Sequence, residues 1–117
     1  MVNHSYTMND YQADTAATAI YKWKVIYPAL GLANEAGEVS GKIKKLIRDD
    51  NIRFDGSVLL SDKQRADIAA ELGDVLWYVA SLARDLNITL NSIAAMNIEK
   101  LNSRKERGVI GGSGDNR

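Results

Sequence analysis

Apolar residues recur along this 117-residue chain at the three-to-four spacing that lines one face of an α-helix, and four stretches carry the pattern. The first is expected from Asn9 to Lys24, with Asn9 as the cap and Asp10 in the electropositive first turn. The second opens at Pro28, suited to a first helical position because its missing N–H has no intrahelical partner there, and carries Leu32, Ala36, Val39, Ile43 and Leu46 to about Arg48. Asp49 to Leu60 breaks the period and reads as a polar loop. The third helix starts at Ser61, which with Gln64 spells a capping box, and runs to Leu86 through Ile68, Leu72, Val75, Val79 and Leu82. The fourth begins near Thr89, carries Ile93, Met96 and Leu101, and stops at Gly108, a residue suited to a left-handed cap.

These elements predict an all-α fold: a four-helix, antiparallel, bundle-like subunit. Residues 1–108 form one domain in this reading, and the Gly-rich end, 109–117, is a flexible tail. The third helix also bears Leu76, Trp77 and Ala80 beside its stripe, so it is apolar over much of its circumference. Such a helix needs cover on several sides, more than three short neighbours supply, which predicts assembly into a homo-oligomer.

Charge and composition narrow the chemistry. Lys plus Arg and Asp plus Glu stand at 15 each, so no net charge favours a nucleic acid polymer or a membrane surface. No cysteine is present, which removes disulfides and thiolate metal sites. No run reaches the ~18 apolar residues of a membrane span, and Met1 to Asp10 lacks the apolar stretch of a signal peptide. A cytoplasmic protein is expected.

Two acidic pairs stand out. Glu35 and Glu38 lie three apart on the second helix, Glu71 and Asp74 three apart on the third, and residues at that spacing share a helical face. In an antiparallel hairpin the two pairs come level, giving four oxygen donors at one depth. Oxygen-only ligation of this kind suits Mg²⁺, with Mn²⁺ as a substitute, and phosphate oxygens complete the shell. Asp67, one turn before Glu71, adds negative charge, and neither Glu71 nor Asp74 has a base at i+4. A di-iron carboxylate bundle would also need Glu-x-x-His on two helices, and the one histidine, His4, lies outside every helix. The bland alternative is a non-catalytic helical oligomerisation or regulatory module with an acidic groove, in which Glu38 pairs with Lys42. On the fourth helix Asn97, Lys100 and Arg104 form one polar stripe; if that helix folds back along the third, they come level with Glu71 and Asp74 and can hold phosphate oxygens.

Tyr27-Pro-Ala-Leu-Gly-Leu32 leading into Glu35-Ala-Gly-Glu38, then Glu71-Leu-Gly-Asp74-Val-Leu-Trp-Tyr78, then Asn97-Ile-Glu-Lys100-Leu-Asn-Ser-Arg104, resembles the MazG-like all-α nucleoside triphosphate pyrophosphohydrolases across residues 10 to 108. The Gly-Ser-Gly-Asp-Asn-Arg ending looks like short members of that group. The resemblance implies Mg²⁺-dependent cleavage of an NTP or dNTP to the monophosphate and pyrophosphate, in nucleotide-pool control. It implies Glu35, Glu38, Glu71 and Asp74 as metal ligands, Lys100 and Arg104 as phosphate contacts, Tyr78 as a further contact, and a dimer or tetramer. In that chemistry Glu38 is the carboxylate assigned to accept the proton of the attacking water. For the base, Trp23, Tyr21 and Tyr27 near the start of the acidic helix offer stacking faces, and Asn34 a hydrogen bond.

Overall fold

The computed structural model describes residues 5–50, 52 and 60–117. Most of the loop read at 49–60, and His4, lie outside the described residues. Among those described there are four α-helices and no strand: α1 (Met8–Thr15), α2 (Ile26–Asp50), α3 (Asp62–Asp85) and α4 (Leu90–Glu106), with a 3₁₀ turn at Ala16–Thr18 after α1.

The helix ends follow local chemistry. Thr7 rather than Asn9 caps α1, its hydroxyl accepting from the Asp10 N–H while the Asp10 carboxylate accepts from the Thr7 N–H. Ser61 and Gln64 form the expected capping box on α3. Both α3 and α4 end in a left-handed residue, Asn87 (φ 60°) and Gly108 (φ 71°). In each the next N–H, from Ile88 or Val109, returns to the carbonyl five residues back, of Ala83 or Arg104.

The first helix departs from the expected Asn9–Lys24 span. Thr15 Oγ1 donates to the Gln12 carbonyl at 2.7 Å and Thr18 Oγ1 to the Thr15 carbonyl at 3.2 Å. These hydroxyls take carbonyls that a continuing helix would use, and α1 stops there. The chain then crosses to α2, entering it through Val25 at φ 68°, a left-handed conformation that costs a β-branched residue on the order of 1–2 kcal/mol. Helix α2 begins at Ile26, so Pro28 is its third residue rather than its first, still inside the turn whose N–H groups lack intrahelical partners.

The antiparallel α2–α3 hairpin is the main helix pairing, and α1 lies across α3 and the start of α4. One side chain ties these together. Buried Gln12 donates to the carbonyls of Ala80 (3.3 Å) and Ile88 (2.9 Å) and accepts from the N–H of Leu90 (3.0 Å). Arg84 closes the joint on the Gln12 carbonyl (3.0 Å) and Thr15 Oγ1 (2.6 Å). Around it sits a small core of Ala80, Ala83 and Leu90, flanked by Tyr11, Val79 and Ile93.

The fourth helix does not fold back along α3. Only its start, at Leu90 and Ile93, meets the α3 residues Ala80 and Ala83, and its helix packing is with α1. Beyond that point Met96, Ile98 and Leu101 are exposed, as are Leu30, Ile47, Leu72 and Leu86 elsewhere. The radius of gyration is 17.4 Å, against about 13 Å for a compact chain of this length.

At Gly31 an added Cβ would collide with the Tyr78 ring of α3, whereas Gly37 on the same helix has open space. Gly37→Ala should therefore stabilise the fold by about 0.5–1 kcal/mol through helix propensity. Gly31→Ala should lower the melting temperature despite the same propensity gain, and thermal denaturation of both purified variants checks the contrast.

Candidate metal centre and nucleotide groove

The hairpin brings the two acidic motifs together. Carboxylate oxygens of Glu35, Glu71 and Asp74 all lie within 4.8 Å of one another. Glu38, one turn further along α2, is exposed and stands outside that group, though close enough for its charge to act on Glu35. The Glu35 carboxyl is pushed above its ordinary value, first by partial desolvation and then by the charges of Asp74, Glu71 and Glu38. One base answers this crowding: Lys42 Nζ stands 3.8 Å from Glu71, reaching across the hairpin rather than pairing with Glu38. Asp67, expected to add negative charge, is held by Lys63 at 2.8 Å and so is largely neutralised. Three partly exposed carboxylates with one distant ammonium form a donor set of hard oxygens. That set fits a divalent cation of the Mg²⁺ or Mn²⁺ type.

The acidic groove, about 330 Å³, is lined by Glu35, Asp74, Tyr78, Trp77 and Thr18. A second groove of about 460 Å³ shares Thr18, Trp77 and Tyr78 with it and is completed by Ile20, Tyr21, Lys22, Trp23 and Tyr27. Its wall is built from aromatic contacts. Tyr21 stacks on Tyr27 with centroids 5.1 Å apart, Trp77 meets Tyr78 edge-on at 5.0 Å, and Trp77 Nε1 donates to Thr18 Oγ1 at 2.9 Å. Trp23 is 68% exposed, so its ring is open to a ligand. Asn34 is exposed beside Glu35 on α2.

The basic stripe lies elsewhere. Asn97 and Lys100 border a separate cavity with Ile93 and Met96. Arg104 is 4% exposed, and the chain beyond α4 turns back over it. Lys100 Nζ and Arg104 Nη2 converge on one oxygen of Asp115, at 3.3 and 3.0 Å, and Arg104 Nη2 also donates to the Gly114 carbonyl at 3.3 Å. Arg104 Nε is buried with no partner. Arg117 in turn donates to the carbonyls of Val109, Ile110 and Gly114.

A family model, the MazG nucleotide pyrophosphohydrolase domain, matches residues 28–109. The chain belongs to that family. Its membership implies nucleotide pyrophosphohydrolase activity. The Gene 37 protein of Mycobacterium phage L5 is 45% identical over 115 aligned residues, covering 92% of this chain and 96% of that relative. No solved structure matches. The MazG match takes in all four acids, Tyr78 and the α4 stripe, and begins after Thr18, Tyr21 and Trp23.

Trp77 and Thr18, which border both grooves, escaped the sequence reading as site residues, as did Ile20 and Lys22. Trp77 reads from sequence as part of the apolar flank of α3, yet its place three residues past Asp74 puts it on the same face as the acid. Thr18 carries no signal in the sequence, because its position depends on where α1 stops.

The raised Glu35 value has a sign. With the folded pKa above the unfolded one, near 4.5, the ionised form is penalised in the folded state, fully above the folded pKa and not at all below the unfolded one. Glu35→Gln should therefore raise the melting temperature at pH 7.5 in chelator, and this gain should vanish by about pH 4. Millimolar Mg²⁺ or Mn²⁺ should stabilise the unsubstituted protein more than the variant, as differential scanning fluorimetry reads.

Proposed function

We propose that this MazG domain hydrolyses nucleoside or deoxynucleoside triphosphates at the α-phosphorus, releasing the monophosphate and pyrophosphate. The observation that carries this reading is the shared wall: Thr18, Trp77 and Tyr78 line both the acidic groove and the aromatic one. A nucleotide has the same two parts, an anionic phosphate chain and an aromatic base, side by side.

In this reading Glu35, Glu71 and Asp74, with Glu38 at the edge, hold Mg²⁺ or, in its place, Mn²⁺. The cation supplies charge neutralisation at the phosphate oxygens, which carboxylates alone would repel. Glu38, exposed and outside the group of three, retains lone pairs for the proton of the attacking water. Tyr78, bordering both grooves, is a contact at the sugar–phosphate junction. Trp23 and Asn34 serve the base, by stacking and by hydrogen bonding. Lys100 and Arg104, with Asn97 one turn earlier, hold phosphate oxygens in exchange for Asp115; their convergence on a single carboxylate oxygen supports this reading.

Pyrophosphate release from a panel of NTPs and dNTPs, with and without Mg²⁺, tests the assignment. Glu71→Gln and Glu38→Gln should each lower turnover at least about a hundredfold, or about 2.7 kcal/mol of transition-state stabilisation. Lys100→Ala and Arg104→Ala should lower kcat/KM about tenfold for every active nucleotide and leave base preference unmoved. Wild-type turnover in both acid variants would refute the site.

Self-association belongs to the same proposal. Met96, Ile98, Leu101, Leu72 and Leu30 present apolar surface that a second copy would cover, and the thin core of Ala80, Ala83 and Leu90 leaves a lone subunit little to stand on. Light scattering at micromolar concentration should report a dimer or tetramer, localising to the cytoplasm in cells. A fully active monomer would contradict it.

A further inference from the structure

Asp85 takes no part in either groove, yet it holds the segment from which the aromatic wall is made. It stands in the last turn of α3, eleven residues or about three turns beyond Asp74, on the same side of the helix. One of its oxygens, Oδ2, accepts two hydrogen bonds from the segment between α1 and α2: the Tyr21 hydroxyl at 2.8 Å and the Val25 N–H at 2.9 Å. Between those two donors lie Lys22, Trp23 and Lys24.

Each bond fixes something the local sequence does not favour. Val25 sits at φ 68°, where a β-branched residue clashes with its own backbone, so another contact must keep it there. Asp85 captures its N–H in that conformation. The Tyr21 ring stacks on Tyr27 and meets Trp77 edge-on at 6.3 Å, and its hydroxyl is tethered to Asp85. A carboxylate acceptor makes both bonds charge-assisted.

We infer that Asp85 is a positioning residue for nucleotide binding: by pinning Tyr21 and Val25 it holds the aromatic wall, with Trp23, against Trp77 and Tyr78. The inference rests on the reading of that groove as the base site. It assigns Asp85 no contact with substrate, and its effect is on affinity for the base-bearing part of the molecule rather than on the hydrolytic step.

Three readouts test it. The segment carries two trypsin sites, Lys22 and Lys24, so cleavage there, mapped by mass spectrometry, reports release of the wall without any substrate. Asp85→Ala should speed cleavage at these sites at least about fivefold, and unchanged cleavage overturns the proposal. In steady-state kinetics Asp85→Ala should raise KM for nucleoside triphosphates about tenfold with kcat within about twofold, while inhibition by inorganic tripolyphosphate, which has no base, stays as in wild type. Equal weakening of tripolyphosphate marks a general structural role and refutes positioning. The third readout is rescue. Glycine adopts positive φ without strain, so Asp85→Ala with Val25→Gly should recover at least half of the lost affinity, and Tyr21→Phe alone, which keeps the ring and removes only the hydroxyl, should show a smaller rise in KM.

Trp77→Ala separates this inference from the one beneath it. If Trp77→Ala raises KM and Asp85→Ala does not, Asp85 is no positioning residue although the base groove stands. If neither moves KM, the groove does not bind the base and both readings fall together.

Discussion

Carboxylates repel one another, and this molecule places three of them within 4.8 Å across its principal helix pairing. The α2–α3 hairpin must close against that repulsion, with one lysine at 3.8 Å as partial compensation. Closure comes from the apolar stripes of the two helices and from Gly31, which lets the Tyr78 ring press onto the α2 backbone. The raised pKa of Glu35 records the remaining tension. Crowded hard oxygens of this kind suit a divalent cation, whose charge would offset their repulsion.

The second groove is built by different means. Its floor is α3, through Trp77 and Tyr78, but its outer wall is the irregular chain between α1 and α2. That chain owes its place to hydrogen bonds from distant residues: Gln12 and Arg84 lock α1 to α3, Thr18 accepts from Trp77, and Asp85 holds Tyr21 and Val25. Carboxylate chemistry and aromatic recognition therefore reside on separately anchored pieces that meet along α3. The spacing of the acids is set within the α2–α3 hairpin, apart from that outer wall.

The α4 segment stands apart from both. It begins in the core and then leaves it, so its basic stripe is satisfied by the chain's own Asp115 rather than by the acids of α3. Arg104 is nearly inaccessible under that turn, with Nε unpartnered, which is costly for a guanidinium.

Much of this was legible beforehand, and for a clear reason. Helical periodicity, the Ser61–Gln64 box and the glycine stop at residue 108 are local properties, and the all-α fold with its four helices follows from them. The meeting of Glu35 with Glu71 and Asp74 was also readable, because two long helices joined antiparallel leave little freedom in register. What the sequence could not show depends on contacts between residues far apart in the chain. Helix α1 stops at Thr15 because its hydroxyls turn inward to a joint made with Arg84, 69 positions on. Trp77 and Thr18 become groove residues only once that joint places them together, and Glu38 falls outside the acid cluster by the phase of α2 against α3. The course of α4 could not be read either: its apolar and basic stripes suit α3 as well as any other partner. Sequence determined which surfaces would seek cover and which charges would crowd; only the tertiary structure decided which partner each one found, because that choice turns on the orientation of whole helices rather than on the pattern along any one of them.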